Sequence, residues 1–214
     1  MSALIEHLSS GFLPRFLAGM AVNFEIGAIA IVVGLALGLL MALGRQAGGV
    51  LAAVTIAVIG VMRAAPTFVV MFFLLNAIPR DATLFGVPFA LSGVMTVALS
   101  LVPYSAAYVA DAGRDALRHL RAGSTHGALL FLPNVTRAFF VVVMSSSAGA
   151  AIGVTEGITV ILRQAEQLPD FGDRLVLFAI GIVLFGIPLQ IGFAVMSWLQ
   201  RRFGRVAARE EAAD

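Results

Sequence analysis

Long stretches without a single charged residue dominate the chain. They cover residues 26–44, 46–62, 64–79, 82–110, 138–155 and 175–200. A membrane-crossing helix needs roughly 20 mostly apolar residues, so the fourth and sixth stretches suffice alone and the first nearly does. The second and third are separated only by Arg63, and together they read as one helix with a buried arginine. The pattern predicts five spans, at about 16–43, 50–78, 89–110, 128–147 and 175–199. A short amphipathic lead, residues 1–15, precedes the first, with Pro14 breaking it. Gly44-Arg-Gln-Ala-Gly-Gly49 reads as a turn, Pro79-Arg80-Asp81 and Gly86-Val87-Pro88 bracket a second loop, and residues 155–174 are polar.

Composition excludes a soluble domain of this size. Sixty per cent of the 214 residues are hydrophobic and 12% are charged, and the mean hydropathy is +0.99. We therefore expect an all-α integral membrane protein, one transmembrane domain over 1–214 with its core at about 16–200. The net charge of +2 comes from arginines at helix ends, where topology selects them, and not from a nucleic-acid surface. With no cysteine and three scattered histidines, His7, His119 and His126, no metal site is expected. The first residues lack a basic start and a small-residue cleavage site, so no removable signal peptide is expected. Arg45, Arg114, Arg118, Arg121, Arg201, Arg202, Arg205 and Arg209 fall on one side by alternation. Arg15, Arg80, Arg163 and Arg174 fall on the other. The richer side is expected to be cytoplasmic, which puts the N-terminus outside and the C-terminus inside.

Several motifs recur in one order. The first span reads Gly34-Leu-Ala-Leu-Gly-Leu-Leu-Met-Ala-Leu-Gly-Arg45, and the second reads Met62-Arg-Ala-Ala-Pro-Thr-Phe through Phe72-Phe73 to Pro79. The third ends in Ala107-Tyr-Val-Ala-Asp-Ala-Gly-Arg114. Leu132-Pro133, Phe139 and Ile152-Gly-Val-Thr-Glu156 follow, then Gln164-Ala165. This series resembles the permease subunits of polar-amino-acid ABC importers of the histidine/glutamine type, over about residues 16–203. The matching family patterns are G-L-x-L-G-L-x-x-A-x-x-R, F-R-G-T-P-x-x-x-Q-x-F-F, A-Y-x-A-E-x-x-R, L-P-P-x-x-N-x-F and I-G-V-x-E. Ala64 and Ala65 replace a Gly-Thr pair, and Met144 and Ser145 stand where Lys-Asp is usual. The cytoplasmic E-A-A-x-x-x-G loop that sits against the ATPase is missing. With its flanks aligned, the chain is short by roughly twenty residues, enough for a helix of about 30 Å.

The resemblance implies a type I importer permease fold in a bacterial inner membrane, passing a polar amino acid or similar small solute. It implies no cofactor on this chain and no ATP hydrolysis by it. ATP would be bound by an ABC ATPase subunit. The other partners implied are a second permease subunit, a paralogue in a heterodimer, and an external solute-binding protein, all in contact with membrane lipid. Arg63, Pro66, Glu25 and Asn76 are the candidates for the substrate path, with Arg63 held inside the membrane by a partner such as Glu25 or a backbone carbonyl. Arg114, Arg118 and Arg121, at i, i+4 and i+7, would form one basic stripe toward the ATPase, a partner permease or anionic headgroups. The run Ser145-Ser-Ser-Ala-Gly-Ala-Ala151 reads as close packing or pore lining. Two alternatives stay open: a degenerate accessory permease beside an intact paralogue, and a non-ABC transporter or channel. A P-loop, a paired carboxylate or a metal cluster that would support an enzyme is not present in the sequence.

Overall fold

The computed structural model of the chain describes residues 8–78, 83–84, 86–88 and 90–210. Pro79, Arg80 and residues 1–7 of the N-terminal lead, His7 among them, lie outside the described residues, as do the side chains of Arg205 and Arg209. After a π-helical turn, Leu8–Phe12, the elements in chain order are α1 (Leu13–Gly44), α2 (Gly49–Ala64) and α3 (Thr67–Ala77). There follow β1 (Thr83–Leu84), β2 (Val87–Pro88), α4 (Gly93–Arg121), α5 (Thr125–Leu129) and α6 (Phe131–Ser145). A 3₁₀ segment, Ser146–Ile152, leads to α7 (Gly157–Glu166) and α8 (Phe171–Glu210). Apart from one antiparallel hairpin of two-residue strands, turning at Gly86, the described chain is helical.

Pro14 does not break the chain before the first span. It occupies the first turn of α1, where the missing N–H would have no helical partner. The 32 residues of α1 reach about 48 Å, well beyond a hydrocarbon core of ~30 Å. Four stretches are long and apolar enough to span, namely α1, α4, residues 127–152 and α8, and the bent pair α2 and α3 makes a fifth when counted as one span.

The packing centre is the pair α1 and α4. Ile26 and Ala30 meet Val97, Ala98 and Leu101, and Ala42 meets Gly113. Residue numbers rise together along the two helices, so they run parallel. Close approach is possible because α1 carries Gly34 and Gly38 on the contact face. A Cβ at Gly34 would lie 2.7 Å from Ser105 Cβ, and one at Gly38 would lie 2.6 Å from the Ala106 carbonyl oxygen. That proximity lets the Ser105 hydroxyl donate to the Ala30 carbonyl across the interface (2.9 Å). In lipid, where apolar side chains gain nothing by leaving water, such small-residue contact and interhelical hydrogen bonding hold helices together.

A parallel pair requires the intervening chain to return across the membrane. The returning segment is broken: α2 and α3 meet at Ala65–Pro66 with a 96° bend. Both Ala65 and Pro66 are extended, because proline excludes the helical conformation from the residue before it and has no N–H to donate. The single helix expected at 50–78 is therefore two helices. α6 then runs antiparallel to α1, Phe139 and Val143 lying on Gly27 and Phe131 near Gly113. α7 and Leu168 just beyond it pack on the start of α1 and the turn before it, Ile161, Ala165 and Leu168 clustering with Phe12 and Phe16. α8 returns along α6, with Gly192 seated against the Phe140 ring.

Gly34→Leu should separate α1 from α4 and lower the thermal midpoint in detergent by the equivalent of about 1–3 kcal/mol. Gly60→Ala, where a Cβ meets nothing within 4 Å, should leave it unchanged. Equal midpoints for the two variants would show that the α1–α4 contact is not tight.

Candidate substrate path and its polar supports

Polar groups inside an apolar bundle need partners, and three sets are visible. The first lies at the end of α1 and α4 that carries the arginine-rich turns. Asp111 accepts from Arg45 Nη1 through one oxygen (2.6 Å) and is ion-paired to Arg63 through the other. Its position follows from the fold: Arg45 ends α1, Arg63 lies in the last turn of α2, and Asp111 faces both from α4. Ile59, packed on Ala107 and Ala110, brings α2 to that level.

This placement corrects the expectation of a buried mid-span arginine. The Arg63 side chain is 58% exposed and lies one residue before the helix break. Its counter-charge is Asp111 and not Glu25. Twenty residues of α1 separate Glu25 from Arg45, about 30 Å along the helix. Glu25 is exposed on the face of α1 turned away from α4. Pro66, also exposed, forms the corner itself. Asn76, exposed on the last turn of α3, donates to the Phe72 carbonyl at 2.7 Å. The structure therefore brings Arg63 and Pro66 together and leaves Glu25 and Asn76 apart from them.

The second set is fully buried near the opposite end. Asn23 and Glu156 are both 0% exposed. The Asn23 amide donates to Ser146 Oγ (2.8 Å) and to a Glu156 carboxylate oxygen (3.0 Å), and its oxygen accepts from the Gly157 N–H (3.0 Å). Glu156 caps α7, accepting from the Ile158 and Thr159 N–H groups at 2.9 and 2.8 Å and from the Thr159 hydroxyl at 3.0 Å. A carboxylate at a helix N-terminus is met by free N–H groups and the positive end of the dipole. Gly19 makes room for it: a Cβ there would lie 2.8 Å from the Glu156 carbonyl carbon. One polar knot thus ties α1, the 3₁₀ segment and α7. Ser146 of the serine run enters it, so that residue supplies packing, while Ser145 and Ser147 bond back to their own helix.

The third set surrounds Arg137, which sequence reasoning missed. It belongs to neither side of the arginine count and sits six residues into α6. It lines a cleft of about 300 Å³ with Gln190, Phe193, Met196, Ser197 and Gln200 of α8. The available signal was its place in the Leu132-Pro133 motif, where the family pattern has asparagine.

Near the knot, the end of α3, the start of α4 and Ile152–Thr155 enclose a cavity of about 510 Å³. Leu74, Leu75 and Ile78 line one wall, and Ser92, Gly93, Thr96 and Gly153 line the other. Gly153 is left-handed (φ +81°) and ends the 3₁₀ segment beside it. At the other end of α4, Arg114, Arg118 and Arg121 are exposed, forming the expected stripe. The connection beyond them is a turn at Gly123 (φ +80°) and the five-residue α5.

Glu156→Ala should destabilise the chain by roughly 2–4 kcal/mol, since several buried donors lose one acceptor, whereas Glu156→Gln should cost less. Thermal unfolding in detergent measures both; a Glu156→Ala midpoint at the wild-type value would show that the knot contributes nothing.

No protein-family model and no curated protein matches this chain. A solved structure does: the crystal structure of an amino acid ABC transporter with histidines, with a TM-score of 0.69 and 18% identity over 89% of this chain and 95% of that one. The chain shares the fold of that transporter chain, with helices long and apolar enough for four membrane crossings, or five with the bent pair.

Proposed function

We propose that this chain is the membrane subunit of an ABC importer for a polar amino acid or a similar small amphoteric solute. The observation that supports it most is the match in fold over 89% of this chain and 95% of that one. In this reading the chain lies in a bacterial inner membrane, N-terminus outside and C-terminus in the cytoplasm. An ABC ATPase binds and hydrolyses ATP, a solute-binding protein delivers solute to the outer face, and a second permease subunit completes the path. The 510 Å³ cavity is then the outer vestibule. The bend at Pro66 opens the wall of the path, and Asp111 sets the angle of α2 by holding Arg63 to the end of α1. Arg63 is thus a positioning residue at the cytoplasmic mouth.

The second reading, an accessory subunit beside an intact paralogue, is favoured by one observation. Between α4 and α6 the chain offers only the Gly123 turn and the five-residue α5, little for an ATPase to grip. The exposed Arg114, Arg118 and Arg121 are what remains on that face.

The test is uptake into proteoliposomes containing the chain with its ATPase, binding protein and partner permease. Arg63→Ala and Asp111→Asn should slow ATP-driven uptake about two- to fivefold, the range of a partly exposed ion pair, and Arg202→Ala should not. Unchanged rates for the first two would remove the Asp111 group from transport. Uptake by a homodimer of this chain alone with ATPase and binding protein would refute the accessory reading. Reporter fusions at Ala213 and in the 80–86 loop should report opposite sides.

A further inference from the structure

Arg137 is a charge placed within a spanning helix, about 9 Å above the start of α6. Among the described residues its guanidinium has no hydrogen-bond or ion-pair partner, and the residue is exposed at the surface of the chain. An arginine inside a span is costly unless protein, water or an anion meets it. The cleft it lines carries polar side chains along one wall. Gln190, Ser197 and Gln200 recur at i, i+7 and i+10 on one face of α8 and bring amide and hydroxyl groups to the side of the guanidinium. Phe193 and Met196 form an apolar floor between them.

The level of the cleft identifies its surroundings. Trp198 lies on the adjoining face of α8, half exposed, with the Arg202 guanidinium 5.3 Å from its ring centre. An exposed tryptophan with an arginine over it, at the end of an apolar span, marks the headgroup region. Gln200 and Ser197 are at that level, and Gln190 is ten residues, about 15 Å, farther in. The cleft therefore runs from the headgroups into the hydrocarbon, polar at the mouth and along one wall, apolar on its floor. A soluble anion would have no use for that floor, whereas a lipid has both parts.

We propose that the α6–α8 cleft binds an anionic phospholipid, its phosphate held at the mouth by Arg137 with Ser197 and Gln200, and an acyl chain lying on Phe193 and Met196 toward Gln190. Guanidinium meets a phosphate through two parallel N–H donors, which an ammonium cannot reproduce. Arg201 and Arg202, which follow Gln200 directly, add positive charge around the mouth and favour a lipid with net negative charge. The site is independent of the solute and of the importer reading.

The experiment is native mass spectrometry of the full chain in detergent, titrated with phosphatidylglycerol, phosphatidylcholine or inorganic phosphate. Phosphatidylglycerol should be retained best. Arg137→Gln should weaken its retention roughly tenfold, Arg137→Lys should recover part of it, and Arg163→Gln, on the opposite side, should leave it unchanged. Gln200→Leu tests the mouth of the same cleft without touching the charge and should weaken retention less. Equal retention by wild type and Arg137→Gln would overturn the proposal. Inorganic phosphate displacing nothing supports a lipid, and inorganic phosphate binding as well as the lipid would overturn that source. The chain has no cysteine, so a single Ser197→Cys reports any second copy on the cleft. A disulfide-linked dimer through it would also overturn the lipid assignment.

Discussion

The architecture depends on how closely α1 and α4 approach. Glycines on α1 meet Ser105 and Ala106 on α4, and the Ser105 hydroxyl reaches a carbonyl of the opposite helix. In a solvent of lipid tails, where burial of apolar side chains gives little, this backbone proximity supplies dispersion contact and one interhelical hydrogen bond. Its direction matters as much as its strength. Because the two helices run parallel, residues 45–92 must carry the chain back to the starting side. α6, antiparallel to both, then packs into the groove between them through Ala138, Val142 and Val143.

Polar residues sit where this framework leaves them partners. At one end Asp111 of α4 meets arginines from α1 and α2, and the bend at Pro66 begins just beyond. At the other end Asn23 of α1 meets Glu156, and the Glu156 carboxylate caps α7. Both groups tie elements distant in sequence to the central pair. They differ in exposure: the Glu156 group is sealed and suits a fixed joint, whereas Arg63 and Asp111 reach solvent and suit a joint whose geometry changes. The importer reading places movement at the broken span for that reason.

Much of this was legible in the sequence because membrane helices declare themselves by length and apolarity. The spans at 16–43, 89–110 and 175–199 correspond to α1, α4 and α8, the observed helices extending beyond the apolar runs into polar residues. The motif series pointed to the fold that the structural comparison supports. The second span failed at a particular place. Hydropathy is continuous across Arg63–Pro66, and nothing in it distinguishes a straight helix with one charge from two helices meeting at 96°. Pro66 signals a bend by its missing N–H, but the partner of Arg63 is Asp111, forty-eight residues away, which no local pattern reveals. Glu156 was noticed only as part of a motif. Its burial depends on Gly19 and Asn23, which meet it only after folding. Arg137 escaped notice because it falls just before a charge-free run and was absorbed into the span.

The central claim, a parallel α1–α4 pair, is open to direct measurement in a chain without native cysteine. Oxidative cross-linking of double-cysteine variants in native membranes reads the direction of packing. The account predicts disulfides for Ile26→Cys with Val97→Cys at one end and for Ala42→Cys with Gly113→Cys at the other, and none for Ala42→Cys with Val97→Cys. Cross-linking of Ala42→Cys with Val97→Cys, without the other two pairs, would mean antiparallel packing and would contradict the fold described.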